Sequence, residues 1–136
     1  MEDKKSKTEA VEMPTSKVTE EGFLIPEEEQ KIKDKVAELL KDKKASKIFP
    51  VVVIGDKENG EKEFYVGYFG QPTFPQFSKF IAAGKKDETV AIKTLAKDTF
   101  IEGDKELVDN DSLFLFGSMP QIQAVMSIRQ SYIVNL

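Results

Sequence analysis

The sequence contains no cysteine and no histidine among its 136 residues. The missing thiols exclude disulfide bonds, thiolate metal sites and cysteine nucleophiles. The missing imidazoles remove the commonest general base and the Ser-His and Cys-His dyads, so any catalysis would depend on carboxylate, lysine or tyrosine groups. These two absences favour a non-enzymatic protein that needs neither a cofactor nor a metal.

The chain also lacks an excess of basic residues and any long apolar run. It has 24 Asp and Glu residues against 20 Lys and Arg residues, which gives a formal net charge of −4, whereas nucleic-acid-binding domains usually carry a basic face. No stretch approaches the roughly 20 apolar residues of a membrane helix. The first 20 residues contain no apolar signal segment. We therefore expect a cytoplasmic protein that binds neither nucleic acid nor membrane.

The N-terminal residues 1–22 are highly polar. Their sizeable apolar side chains are chiefly Val11, Met13 and Val18, too few to offset the entropy lost on ordering the segment. We predict that residues 1–22 form a disordered polar arm, which either stays solvated or folds on a partner. Residues 23–136 have the length and apolar content of one domain.

A helix is predicted from Pro26 to about Lys44. Proline is favoured at the first helical position, and the three glutamates that follow it suit the positive end of the helix dipole. The apolar residues of this segment form one stripe at helical spacing: Ile32, Val36, Leu39 and Leu40. We interpret the stripe as the side of a surface helix that docks on the core, with a short coiled coil as the alternative.

Two β-prone runs, Ile48–Ile54 and Phe64–Phe69, are joined by a turn-rich segment and predict a β-hairpin. Pro50 cannot donate a hydrogen bond to a strand ladder, so we place it at the start or on an edge of the first strand. Gly67 lies inside the second run and indicates a bulge or a close approach of backbone.

Helical segments are predicted after the hairpin. The first begins at Phe74 or Pro75 behind a capping-box pattern and ends at Gly84; its apolar face is predicted to cover the hairpin with Phe74, Phe77, Phe80 and Ile81. The second is capped by Asp87, ends near Phe100 and is predicted to bury Val90, Ala91, Leu95 and Ala96. We predict a further helix or a pair of turns at residues 105–116 and a break at residues 117–120. A last helix is predicted at residues 120–136. Together these segments predict an α+β fold in which a β-hairpin or small antiparallel sheet is packed by four to five short helices.

Two clusters invite a ligand hypothesis. One is an acidic string that contains Glu102, Asp104, Glu106, Asp109 and Asp111. Hard cations such as calcium bind carboxylates, but the spacing of these residues does not fit an EF-hand loop. The favoured interpretation is structural: Asp104 and Asp109 or Asp111 cap helices, and Gly103 makes an unusual backbone turn. The other is an aromatic cluster of Phe64, Tyr65, Tyr68, Phe69, Phe74, Phe77 and Phe80. These rings suit a core more than a base-stacking surface, because few cations lie nearby.

The C-terminal residues 112–136 are rich in apolar side chains, and Arg129 is their single charged residue and the only arginine of the chain. A segment of this kind forms either the central helix of the core or, in part, a surface that contacts a second protein chain. The candidate partner-binding residues are Leu115, Met119, Ile122, Val125, Met126, Arg129, Tyr132 and Ile133.

The strings YFGQPTFPQF, from Tyr68, and DTFIEGDKELVDNDSLF, from Asp98, resemble small proteins encoded among the structural genes of tailed bacteriophages, the tail assembly chaperone-like proteins. The resemblance covers roughly residues 48–117. Its matching positions are Tyr68, Phe69 and Pro72, then Ile101, Gly103, Asp104, Lys105, Glu106, Asp109 and Asp111.

This resemblance implies a protein that shields hydrophobic segments of a virion component during assembly. The partners would be other protein chains, held by the C-terminal apolar helix, the hairpin edge or both, and self-association into a homo-oligomer is expected. The alternative is a virion structural or accessory protein that is retained in the particle, with a polar arm that orders on neighbouring subunits. A small carboxylate enzyme is the third hypothesis.

Overall fold

The computed structural model describes residues 16–126 and 131–135 of the chain. Within them the elements follow in the order α1 (Pro26–Lys41), β1 (Ile48–Ile54), a 3-10 turn (Lys57–Asn59), β2 (Phe64–Gly70), α2 (Phe74–Gly84), α3 (Glu88–Thr99), β3 (Phe100–Gly103), α4 (Glu106–Asp109), a single helical turn (Asp111–Leu113), a π-helical segment (Phe114–Ser118) and α5 (Met119–Val125). The three strands form one antiparallel sheet in the order β1-β2-β3. The predicted α+β fold is confirmed.

Helix α1 begins as predicted, with a proline in its first turn and three glutamates behind it. It ends at Lys41, three residues before the predicted end, because Lys43 has a left-handed backbone with φ of 57°. The Lys44 N–H then donates to the Leu39 carbonyl at 3.1 Å and the Lys43 N–H to the Leu40 carbonyl at 3.0 Å. This pair of bonds closes the helix as a Schellman motif.

Strand β3 pairs with β2 and ends in a tight turn at Gly103. The pairing contains a bulge between Tyr68 and Phe69 on β2. Gly103 has φ of +117°, and a Cβ atom built there would lie 2.4 Å from the Val66 carbonyl oxygen, so only glycine fits. The unusual turn predicted at Gly103 is therefore confirmed.

The sheet lies between two helical layers. On one face, α1 packs Leu39 against Ile48 and Tyr68 of the strands. On the other face, the main core cluster joins the sheet to α3, α4, the π-helical segment and α5, and its buried members are Val51, Phe69, Ile92, Ala96, Val108, Phe114 and Ile122. Each face of the sheet is thus covered by helix, as a layered α+β domain requires.

Helix α2 carries both halves of the predicted capping box, between Thr73 and Gln76, but it does not cover the hairpin as predicted. It packs on α3, and its Phe80 reaches the main core cluster. Phe74 is 83% exposed, and Phe77 and Ile81 are also exposed. The prediction fails because α3 already occupies the sheet face, which leaves α2 in an outer position. On α3, Ala91, Leu95 and Ala96 are buried as predicted, whereas Val90 is exposed.

The chain stays helical where a break was predicted at residues 117–120. The Met119 N–H donates to the Phe114 carbonyl, a π-type bond that widens the helix ahead of Pro120. Gly117 lets this segment approach the sheet, since a Cβ atom there would lie 2.7 Å from a Val53 methyl carbon. Glycine and proline therefore mark close packing and a widened turn here, not a loop.

The last helix is shorter than the predicted 120–136. Helix α5 ends at Val125, and residues 131–135 have no helical or strand structure. Residues 127–130 and 136 lie outside the described part of the chain.

Candidate functional site

The candidate partner-binding residues are divided between core and surface. Ile122 is a buried member of the main core cluster, and Met119 packs against that cluster. Leu115 is partly exposed, and Val125 and Met126 are half-buried. Tyr132 and Ile133 are 84% and 90% exposed. Arg129 lies outside the described residues. Ile122 and Met119 thus contribute to the core, whereas Tyr132 and Ile133 lie at the surface.

Three members of the acidic string, Glu102, Asp104 and Asp111, make ion pairs within the fold. Glu102 pairs with Lys35 at 2.6 Å, and Asp111 pairs with Lys93. The hydrogen bond that Lys35 donates to Glu102 raises the pKa of the Lys35 ammonium, and the hydrogen bond that Asp111 accepts from Lys93 lowers the pKa of the Asp111 carboxyl. Among the residues that the structure describes, no three acidic side chains are grouped to hold a metal ion.

Asp104 of this string joins the end of β3 to β2. Its carboxylate accepts the Val66 N–H at 2.9 Å and the Lys62 ammonium at 2.6 Å, and its own N–H donates to the Val66 carbonyl at 2.7 Å. The hydrogen bond that Lys62 donates to Asp104 raises the pKa of the Lys62 ammonium. The predicted helix caps are therefore wrong in detail: no side chain caps α4, and Asn110 caps the turn that begins at Asp111.

The aromatic cluster does not form one surface. Tyr65, Tyr68 and Phe69 are buried in the sheet, and Phe69 packs edge-to-face on Phe100 with ring centroids 5.5 Å apart. Tyr65, Tyr68 and Phe69 therefore serve the core, while Phe74 of α2 faces solvent.

Strand β1 forms an edge of the sheet and presents one side of its backbone outward. The Gly55 N–H donates to the Glu63 carbonyl, and the Gln71 N–H donates to the Lys47 carbonyl. In an antiparallel ladder, residues that hydrogen-bond to the neighbouring strand alternate with residues that do not. Because positions 47 and 55 are bonded, the odd-numbered residues of β1 are the ones that hydrogen-bond to β2. The even-numbered residues point their N–H and C=O groups away from the sheet: Ile48, Pro50, Val52 and Ile54.

Pro50 occupies one of these outward positions, so its missing N–H removes no bond of the β1–β2 ladder. The predicted placement of Pro50 on an edge is confirmed. In residues 16–126 and 131–135, no backbone hydrogen bond is made to the outward groups of β1. Such an edge is a template on which another extended chain can pair.

An apolar groove runs along each face of this edge. The first, of about 450 Å³, separates β1 from α1 and the residues before α1. Its lining residues are Gly22, Phe23, Leu24, Glu29, Ile32, Lys33, Pro50, Val52 and Ile54. The second, of about 470 Å³, separates β1 from α5 and is lined by Phe49, Pro50, Val51, Val52, Gln121, Ala124 and Val125. We call β1 with these two grooves the β1 edge site.

Sequence reasoning missed how the first groove is completed. Residues 16–22 fall within the predicted disordered arm, but the structure folds them into a turn in which Val18 bridges Leu24. The Glu63 carboxylate accepts hydrogen bonds from the Ser16 hydroxyl at 2.7 Å and from the amides of Lys17 and Val18, and the first of these is the main cause that lowers the pKa of Glu63. Residues 1–15 of the predicted arm lie outside the described residues.

None of the helices that the structure describes combines the length and the apolar content needed to cross a bilayer. Comparison of the chain with protein-family models, with curated proteins and with solved structures gives no match.

Proposed function

We propose that this protein is a non-enzymatic protein-binding module that holds an extended apolar segment of a partner chain on the β1 edge site. The observation that carries the proposal is the outward backbone of β1 between two apolar grooves. A strand added to a sheet edge gains main-chain hydrogen bonds, while its alternate side chains enter pockets on the two faces.

The chemistry of the edge defines the partner segment. Four residues of β1 face outward and one of them is proline, so the edge offers three N–H groups and four C=O groups. The strand itself carries no charged side chain. The preferred partner is therefore a short, uncharged run of β-branched and aromatic residues, with apolar side chains on both faces of the added strand.

The resemblance to tail assembly chaperone-like proteins supplies a biological setting for this proposal. In that setting the partner is a hydrophobic segment of a virion component, shielded in the host cytoplasm during assembly. Mass spectrometry of purified particles tests this role, because a chaperone is absent from the finished particle. Its presence in the particle would favour the alternative, a retained structural or accessory protein.

Selection of a random peptide library on the immobilised full-length protein tests the binding proposal. We expect enrichment of uncharged peptides rich in Val, Ile, Tyr and Phe. The selected peptides should bind the Ile54→Lys variant at least 10-fold more weakly, since Ile54 lines the first groove and a lysine there would put a charge on the edge. The matched control is Val90→Lys, an exposed position on α3 outside both grooves. Equal binding to both variants would contradict the proposal.

A further inference from the structure

The C-terminal segment Ser131–Asn135 has the chemistry that the β1 edge site requires. Its three central residues, Tyr132, Ile133 and Val134, are 84%, 90% and 66% exposed. All three are strong β-formers, and none of the five residues is charged. Three consecutive exposed apolar side chains of this kind are unusual on an isolated soluble chain and indicate a segment that becomes covered.

The C-terminal segment also has apolar side chains for the grooves on both faces of the β1 edge. Successive side chains of a strand point to opposite faces of a sheet. In a strand added beside β1, Ile133 would therefore enter one groove while Tyr132 and Val134 would enter the other. A segment that is apolar on both faces suits an edge with an apolar groove on both faces, and β1, with seven residues, is long enough to pair with all five.

The position of α5 supplies the third argument. Ala124 and Val125, in the last turn of this helix, line the second groove beside Phe49 and Val51 of β1. The chain thus leaves its last helix beside the edge. The exposure of Tyr132 and Ile133 shows that, within one described chain, the segment does not lie in its own grooves.

We infer that two copies of this chain exchange their C-terminal segments, so that Ser131–Asn135 of each copy pairs with β1 of the other. The inference rests on the proposed function, because it names an occupant of the same site. Each copy has one such segment and one such edge, so a reciprocal exchange closes a two-fold dimer and leaves neither edge open. The exchange would hold the β1 edge site occupied until a partner segment displaces it.

Site-directed cross-linking tests this exchange on the full-length chain. The native protein has no cysteine, so the introduced thiols are the only ones that can react. One preparation carries Ile54→Cys at the edge, and a second carries Ile133→Cys in the C-terminal segment. The two are mixed and treated with a short bismaleimide, which tolerates a shift of register, and cross-linked peptides are identified by mass. The matched control replaces the edge variant by Phe74→Cys, which is exposed on α2.

We expect a cross-link between residues 54 and 133 of different copies, and at least 10-fold less product with the Phe74→Cys control. A chain carrying both cysteines, treated at high dilution, should give little cross-link within one chain. A cross-link confined to one chain would overturn the inference in favour of intramolecular docking. Absence of any link between positions 54 and 133 would overturn it as well.

Light scattering gives a second readout that needs no cross-linker. The native chain should have twice the 15.3 kDa mass of a single chain at micromolar concentration. Ile133→Asp should be monomeric with an unchanged circular dichroism spectrum, because Ile133 is exposed in the single chain. A native chain that is monomeric at all accessible concentrations, or an Ile133→Asp variant that remains a dimer, would contradict the exchange.

Failure of the exchange and failure of the proposed function give different results. If the selected peptides bind the edge but no copies cross-link, the module binds partners and the exchange is wrong. If copies cross-link but no peptide is selected, even with the monomeric Ile133→Asp variant, the edge serves self-association and the proposed partner binding is wrong. If the exchange and the partner binding both occur, the selected peptides should bind the Ile133→Asp variant more tightly than the native chain, since the β1 edge of the variant is vacant.

Discussion

Replacement of Asp104 by alanine removes the side chain that joins the end of β3 to β2. The Val66 N–H is half-buried and donates to the Asp104 carboxylate at 2.9 Å. A hydrogen bond to a charged group contributes about 1.5–3 kcal/mol, and a buried donor left without an acceptor costs a similar amount. The Lys62–Asp104 ion pair adds about 0–1 kcal/mol, because the Lys62 side chain is 52% exposed. We therefore expect Asp104→Ala to lower the free energy of unfolding by about 2–3 kcal/mol.

Urea denaturation followed by circular dichroism measures this change. For a chain of this size, about 1 kcal/mol corresponds to roughly 3–5 °C in Tm, so a thermal scan should show a fall of about 6–15 °C. Asp104→Asn keeps an oxygen for Val66 but loses the charge, and we expect it to cost about 1 kcal/mol. The matched control is Asp109→Ala, an exposed neighbour whose carboxylate makes no hydrogen bond within the described residues.

A result within about 0.5 kcal/mol of the native value for Asp104→Ala would refute this structural role. Calcium or magnesium should leave the Tm of the native chain unchanged. A rise that disappears in Asp104→Ala would revive the metal hypothesis for the acidic string.

Phe69 is 2% exposed, so Phe69→Ala should lower the free energy of unfolding in urea titrations by about 3–5 kcal/mol. Phe74 is 83% exposed, so Phe74→Ala should change the same free energy by less than about 0.5 kcal/mol. Similar costs for the two variants would contradict the placement of α2. Gly103→Ala should destabilise the protein by more than about 2 kcal/mol, because its φ of +117° and the nearby carbonyl exclude a side chain, and a native-like Tm would disprove that geometry. Hydrogen bonds from Ser16 and Lys17 hold the pKa of the Glu63 carboxyl below its ordinary value in the folded protein. The contribution of Glu63 to stability is therefore present above that ordinary value and is lost as the pH falls through the lower folded-state pKa. The Lys17 amide resonance should shift in that acidic window in NMR titrations, and the shift should be absent in Glu63→Gln; an unchanged titration in the variant would remove Glu63 as the anchor.

Local signals in the sequence predicted the elements better than their packing. Proline followed by glutamates placed the start of α1, the Thr73–Gln76 pair placed the start of α2, and Asp87 caps α3 by accepting from the Val90 amide at 3.1 Å. These features act within one turn of chain, so they can be recognised without knowledge of neighbouring elements.

The errors arose where tertiary packing decides the outcome. Periodicity identified the apolar face of α2 but could not show that α3 takes the sheet, which leaves Phe74 exposed. Glycine and proline near residue 117 have breaker propensities, yet close approach to Val53 and a π-type turn keep that segment helical.

The candidate site was only partly predictable. The hairpin edge followed from Pro50, because a residue without an N–H is confined to strand starts and edges. The grooves on its two faces could not be predicted, since they need residues distant in sequence, such as Phe23 on one side and Val125 on the other. The partner-binding residues predicted before Met126 include core positions, because apolar composition alone does not separate buried from exposed side chains.

Amide hydrogen exchange along β1 tests the central claim most directly. The measurement uses the Ile133→Asp variant, which we expect to be monomeric, and compares the variant alone with its complex with the tightest selected peptide. The account predicts that the outward amides of Val52 and Ile54 gain protection in the complex, whereas those of Val51 and Val53, already bonded to β2, change little. Unchanged exchange at Val52 and Ile54 in a saturated complex would contradict pairing on the β1 edge site.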